Sequence, residues 1–228
     1  AMHIPILGVE GYEADDVIGT IAKKKAKENH LVYMVTPDKD FAQLVEENIK
    51  IYKPPRQGNQ PEILGVAEVC QNWEVTNPLQ VIDILALWGD AVDNIPGIPG
   101  IGEKTSKALI KEYGSVEGLI ANVDKLKGKQ QENVRNYAQQ GLDSKKLATI
   151  ILDVPIDIDD EQLQLDPFDK DKLRELFTEL EFRTLQKEML GENVAINNPT
   201  TTKPSESIQR DLFNLSVADE VEISSPFE

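Results

Sequence analysis

Apolar residues follow two different rhythms through the N-terminal half of the chain. Residues 3–9 (HIPILGV), 31–36 (LVYMVT) and 49–52 (IKIY) are short runs rich in β-branched residues, the pattern of strands in a sheet core. Between the first two the period lengthens, and Val17, Ile18, Ile21, Ala22 and Ala26 fall on one face of a helix opening in the acidic stretch EADD. Residues 41–48 predict a second helix. Strand, helix, strand, helix, strand in this order predicts a right-handed parallel α/β layer. A loop follows at 53–61, then an edge strand at 63–64 and a short helix at 66–73. Pro78 opens a stronger helix over 78–88, with Val81, Ile82, Leu85 and Trp88 inward.

Beyond Trp88 the rhythm breaks. Glycines at 97, 100 and 102 and prolines at 96 and 99 exclude helix and strand interior, so a tight turn is predicted. Thr105, Ala108, Leu109 and Tyr113 then mark an amphipathic helix carrying Lys104, Lys107 and Lys111 and ending at Gly114. Further helical pieces are predicted at 115–122, 123–127 and 130–140. Residues 144–150 lead into the apolar run TIILDVPI, read as strand or extended chain, and a helix pair is predicted over 169–190. From Gly191 the polar, proline-containing NNPTTTKPSES predicts a flexible linker. The expected division is therefore an α/β part at 3–95, a helical part at 96–190 and an acidic linker at 191–228.

Composition changes this picture in two places. The single cysteine, Cys70, excludes an internal disulfide and suits a reducing cytoplasm, and no apolar run is long enough to span a membrane. The formal charge of −16 argues at first against a nucleic-acid partner. Residues 96–149, however, hold nine Lys and Arg against six Asp and Glu, so a basic segment sits within an acidic chain. That distribution fits lysines meeting phosphates in one place and carboxylates binding cations in another.

Seven acids are candidates for the second role: Glu13, Asp15 and Asp16; Asp38 and Asp40; Asp90 and Asp93. Carboxylate clusters without His or Cys suit Mg²⁺ or Mn²⁺, and two such ions can activate water and stabilise a leaving oxygen at a phosphodiester. Asp38 and Asp40 lie two apart, which in extended chain puts both on one face beyond a strand's carboxyl end. The glycine turn adds backbone N–H groups that a phosphate can approach closely, and the helix start after it adds unpaired donors and a favourable dipole.

The order IPGIPGIGEKT resembles helix-hairpin-helix DNA-binding turns in their helix-three-turn-helix form. With GYEADD, TPDKD and GDAVDN before it, the chain resembles the 5′-nuclease family, which holds the 5′-to-3′ exonuclease domains of bacterial DNA polymerase I and the flap endonucleases. The resemblance covers roughly residues 3–190 and implies a partial PIN-like α/β parallel sheet with a helical DNA-binding subdomain. It implies metal-binding roles for Glu13, Asp15, Asp16, Asp38, Asp40, Asp90 and Asp93, with all but Glu13 serving catalysis through bound metals. It implies DNA contact at Gly97, Gly100, Gly102, Lys104, Thr105 and Lys107, with a monovalent cation such as K⁺ at the hairpin. The implied substrates are duplex DNA with a 5′ flap or nick and RNA primer–DNA hybrids, met during replication and repair in the bacterial cytoplasm at the nucleoid.

One departure bears on mechanism. Family members begin with a strand bearing another metal-binding aspartate and a basic helical gateway, and only ten residues precede GYEADD here. The expectation is a fragment that binds DNA weakly and cleaves it poorly. The rival reading is a non-catalytic DNA-binding module whose acids are structural. A third concerns the tail, where Gln209, Leu212 and Phe213 in QRDLF resemble the peptide by which replication proteins hold a sliding clamp.

Overall fold

The acidic stretch opens α1 (Ala14–Lys27), where Asp16 Oδ2 accepts from the Glu13 N–H at 3.3 Å and closes a capping box. The computed structural model describes residues 1–55, 60–161 and 163–191. These fall into two units, one of residues 4–166 and one of residues 1–3 with those from 167 onward.

In the larger unit, β1 (Val32–Val35) pairs in parallel with β2 (Ile49–Lys53), and β2 pairs antiparallel with β3 (Glu62–Leu64). The parallel pair agrees with the expected crossover. The third strand expected at 3–9 is absent, and that segment is irregular, with Ile6 94% exposed. Apolar composition alone does not make a strand, because the backbone needs a ladder to join, and Pro5 removes one donor from this stretch. The helix expected at 41–48 contracts to a 3₁₀ turn over Asp40–Leu44, after which Val45 is extended and Glu46 bridges to Ile49. All five turn residues are buried. Packing therefore decides their conformation more than helical period does.

Next come α2 (Val66–Trp73) and α3 (Gln80–Trp88). The core has two clusters that meet on α3: Val81 and Leu85 join the cluster under the sheet with Ile49, Ile51 and Met34, while Ile84 and Leu87 join a helical cluster. That second cluster is built with α4 (Glu103–Tyr113), α5 (Val116–Ala121), α6 (Gly128–Asn136) and α7 (Ala138–Ala148). Each fully buried aliphatic side chain contributes roughly 1.5–3 kcal/mol. The single helix expected over 130–140 is broken at Tyr137, which leaves the helical region with φ −112°.

Past α7 the apolar run 150–154 forms no strand, and its backbone is held by side chains instead. Gln43 donates to Ala148 O at 2.9 Å and accepts from Ile150 N at 3.0 Å, and Asp16 Oδ1 accepts from Ile151 N at 2.8 Å. Gly19 makes room for this approach, since a β-carbon there would lie 2.9 Å from a Leu152 methyl. In the smaller unit, α8 (Lys170–Glu179) and α9 (Arg183–Leu190) match the predicted helix pair, with the rings of Phe177 and Phe182 6.4 Å apart.

Candidate metal centre and phosphate cradle

Helix α3 ends at Gly89, where φ is +82° and a β-carbon would stand 2.7 Å from Ile95 O. The chain then makes a tight loop closed by two backbone hydrogen bonds, Asp90 N–H to Ile95 O and Ile95 N–H to Asp90 O, each 2.8 Å. Asn94 turns the corner at φ +56°, a conformation asparagine tolerates. Inside the loop Asp90 Oδ1 accepts from Val92 N at 2.9 Å. The loop thus brings Asp93 back beside Asp90, and Asp40 meets them from the 3₁₀ turn: carboxylate oxygens of the three lie within 4.8 Å of one another.

This triad borders a cleft of about 660 Å³ whose lining includes Glu13, Asp15, Asp16, Asp38, Asp40 and Asp93. The seven acids singled out in the sequence therefore gather in one region, although not in the way the spacing predicts. Asp38 and Asp40 do not alternate along an extended strand. Asp38 Oδ1 instead accepts from the Asp40 N–H at 3.0 Å and starts the turn. Asp16 is buried with a hydrogen bond on each carboxylate oxygen, so part of its work is to hold the 150–151 segment against α1.

The electrostatics of the cleft show the strain of this crowding. Burial, then repulsion from Asp38, pushes the Asp40 carboxyl up to about 6, and Asp40 Oδ1 is buried without a hydrogen-bond partner among the described residues. Burial, then the neighbouring Asp16 charge, also raises Asp15. Asp90 goes the other way: burial would raise it, but hydrogen bonds from the Lys39 ammonium and the Val92 N–H hold it below its ordinary value. Lys39, between two of the candidate acids, was not singled out by the sequence pattern. The Trp88 ring also lies near it, 5.3 Å from Nζ to the centroid.

A divalent cation fits these residues on two grounds. An orphaned, buried carboxylate oxygen beside two more carboxylates is a group that lacks a positive partner, and the cleft lining contains no His or Cys, so the donor set is all oxygen.

The glycine turn follows the loop directly. Gly97, at φ +63°, packs backbone on backbone, with a β-carbon 2.6 Å from Gly89 N. Its N–H donates inward to the buried Ser144 hydroxyl at 3.1 Å, and its carbonyl accepts from Gln140 at 2.7 Å. Its backbone N–H and carbonyl are thus both engaged inside the fold. Gly100 is the outer corner at φ +80°, while Asn133 holds the Pro99 carbonyl at 2.7 Å. Gly102, with φ −98°, needs no glycine for its backbone, and a β-carbon there would meet nothing within 4 Å. It leaves open space before the first turn of α4, whose N–H groups precede the first helical bond, Ser106 N to Gly102 O. Lys104 is exposed and makes no ion pair among the described residues, and Thr105 is half-buried beside it. Lys107 is engaged locally, donating to Glu103 and to Asn72 O over the Trp73 ring. Gln209, Leu212 and Phe213 lie outside the described residues.

The family described as "5'-3' exonuclease, N-terminal resolvase-like domain" matches residues 1–74, and "5'-3' exonuclease, C-terminal SAM fold" matches residues 76–171. DNA polymerase I of Mycobacterium leprae is 37% identical over 186 residues, 82% of this chain and 20% of that protein. DNA polymerase I of Bacillus subtilis is 38% identical over 196 residues, 86% of this chain and 22% of that protein. The chain thus spans about a fifth of the length of the curated relatives it matches. A solved structure of T5 5′-exonuclease with bound divalent zinc ions has a TM-score of 0.56 at 25% identity, covering 63% of this chain and 52% of that one. With both halves of the exonuclease signature in order on one continuous chain, the protein belongs to the 5′-3′ exonuclease family.

Proposed function

We propose that this chain is the cation-binding and DNA-holding part of a 5′ nuclease, acting on phosphodiester bonds at 5′ flaps, nicks or RNA primers in replication and repair. The observation that carries the proposal is the convergence of Asp40, Asp90 and Asp93 within 4.8 Å, with a buried carboxylate oxygen of Asp40 left without a partner. Asp40, Asp90 and Asp93 would hold one divalent ion, Mg²⁺ or Mn²⁺, and Glu13, Asp15 and Asp38 across the cleft would offer oxygens to another. Bound there, such ions supply a lowered pKa for water and charge neutralisation at the leaving oxygen. Asp16 keeps the wall of the cleft in place through its bond to Ile151.

The glycine turn is the DNA contact in this reading. Gly100, Gly102 and the first turn of α4 offer N–H donors to one backbone phosphate, and Lys104 and Thr105 add a charge and a hydroxyl. Gly97, clamped by Ser144 and Gln140, positions the turn, where the family resemblance implies a monovalent ion such as K⁺. Because the turn follows the Asp90–Ile95 loop without a break, gripping the strand there presents a neighbouring phosphodiester to the acidic cleft.

Two variants separate these roles. Asp90→Asn with Asp93→Asn should abolish high-affinity Mn²⁺ binding, read by electron paramagnetic resonance, and leave binding of a fluorescent nicked duplex intact. Lys104→Glu should do the reverse. Undiminished Mn²⁺ binding in the Asn pair would mean that the acids are structural and that the chain is a non-catalytic DNA-binding module.

A further inference from the structure

We infer that the Lys39 ammonium is the resident counter-ion of the carboxylate pocket, and that a divalent cation enters by exchanging with it. The inference rests on the proposed metal site and adds a residue to its working cycle. Lys39 sits between Asp38 and Asp40, yet its ammonium crosses to Asp90 on the other wall and pairs with Oδ2. The second oxygen of Asp90 is already taken by the Val92 N–H at 2.9 Å. Asp90 is 7% exposed, so both of its oxygens are engaged within the protein. For the three-carboxylate set to close on a divalent ion, the ammonium has to give up that oxygen.

The structure provides somewhere for it to go. The Lys39 side chain is 39% exposed, and its Nζ already lies 5.3 Å from the centroid of Trp88, the last residue of α3. An ammonium on an aromatic face keeps part of its stabilisation while the rest is solvated. Lys39 thus has a second seat at the rim of the pocket and is not stranded by release. The exchange also accounts for how a pocket of clustered carboxylates stays folded without metal. Asp90 is neutralised by Lys39, while Asp40 Oδ1 keeps no partner, which leaves one unmet position ready for the incoming ion. Lys146, whose side chain lines the cleft, is 77% exposed and turned to Asp143 at 3.4 Å. It does not compete for the triad.

Exchange makes two readouts move together. In the wild-type chain, saturating Mn²⁺ should increase the rate at which Lys39 is acetylated by an amine-reactive reagent, measured by mass spectrometry with the other lysines as internal controls. Lys39→Met, which keeps the aliphatic stem, should bind Mn²⁺ roughly fivefold more tightly, the scale of a partly exposed ion pair removed from competition. Lys39→Arg should stay near wild type. Circular dichroism and a thermal melt establish that each variant is folded. Should the wild type bind Mn²⁺ while Lys39 labelling stays constant or falls, or should Lys39→Met bind no more tightly than wild type, the exchange is wrong although the metal site stands. Absence of Mn²⁺ binding by the wild type itself would remove the metal site and the exchange with it.

Discussion

Replacing Asp40 by Asn should stabilise the metal-free protein at neutral pH, the opposite of what removing a side chain from a buried cluster normally does. The carboxyl is pushed from 3.8 to about 6, chiefly by burial and then by the Asp38 charge, with Asp90 and Asp93 adding to it and Lys39 opposing. A raised carboxylate pKa means that the folded state holds the proton more tightly than the unfolded state does. Stability therefore falls as pH rises from about 4 to about 6, and the penalty is fully present above that window and absent below it. The displacement corresponds to as much as ~3 kcal/mol at neutral pH. Asparagine keeps the shape and lets an amide donate to an adjacent carboxylate. In chelator at pH 7.5, Asp40→Asn should raise the urea-unfolding free energy by ~1–3 kcal/mol, and near pH 4 the two proteins should coincide. Excess Mg²⁺ should reverse the order by stabilising the wild type alone. A variant less stable than wild type by the same amount at both pH values would falsify this account, because Asp40 would then be a packing residue and not a charge awaiting a cation.

Four further substitutions test the turn and the pair that buried Asp83 makes with Lys145. Gly97→Ala forces a left-handed alanine and sets a β-carbon against the Gly89 and Trp88 backbone, so equilibrium unfolding should show a loss of ~2–4 kcal/mol, whereas Gly102→Ala, facing open space, should cost under ~1 kcal/mol yet weaken nicked-duplex binding. Lys145→Met removes the cation 2.6 Å from buried Asp83 and should destabilise by ~3–5 kcal/mol; Asp83→Asn in the same chain should recover much of that, measured by urea midpoints.

The helices were legible where one face alone is buried: α1, α2, α4 and the α8–α9 pair match their apolar stripes closely. The acids were legible as a set because each block sits at the end of an element. Their individual duties were not. Nothing in GYEADD says that Asp16 will bind the backbone of Ile151, 135 residues away, and nothing in IPGIPG says that the Gly97 N–H will point inward at Ser144. Such partners depend on tertiary packing that a linear pattern does not encode. The failed strand at 3–9 has the same origin, since strand formation needs a neighbouring ladder as well as apolar side chains. Lys39 and Asp83 are not legible for a related reason: a charge on a helix or loop is ordinarily solvated, and only the folded chain reveals which ones meet a charged partner.

Helix α3 is where these local facts become one device. Its residues face two cores at once, Val81 and Leu85 on the sheet side, Ile84 and Leu87 on the helical side, so neither its rotation nor its register can change without exposing apolar surface in both. Its last turn carries Trp88 beside the Lys39 ammonium, and the Leu87 carbonyl accepts from the Ile98 N–H at 2.8 Å, which anchors the glycine turn to the helix. The carboxylate loop at 90–95 and the turn at 97–102 are therefore two products of a single rigid helix end. The proposed phosphate contact and the proposed cation site are thus held relative to one frame. That arrangement is what a positioning mechanism requires, because misplacement by about 1 Å can cost a hydrolytic site roughly a hundredfold in rate.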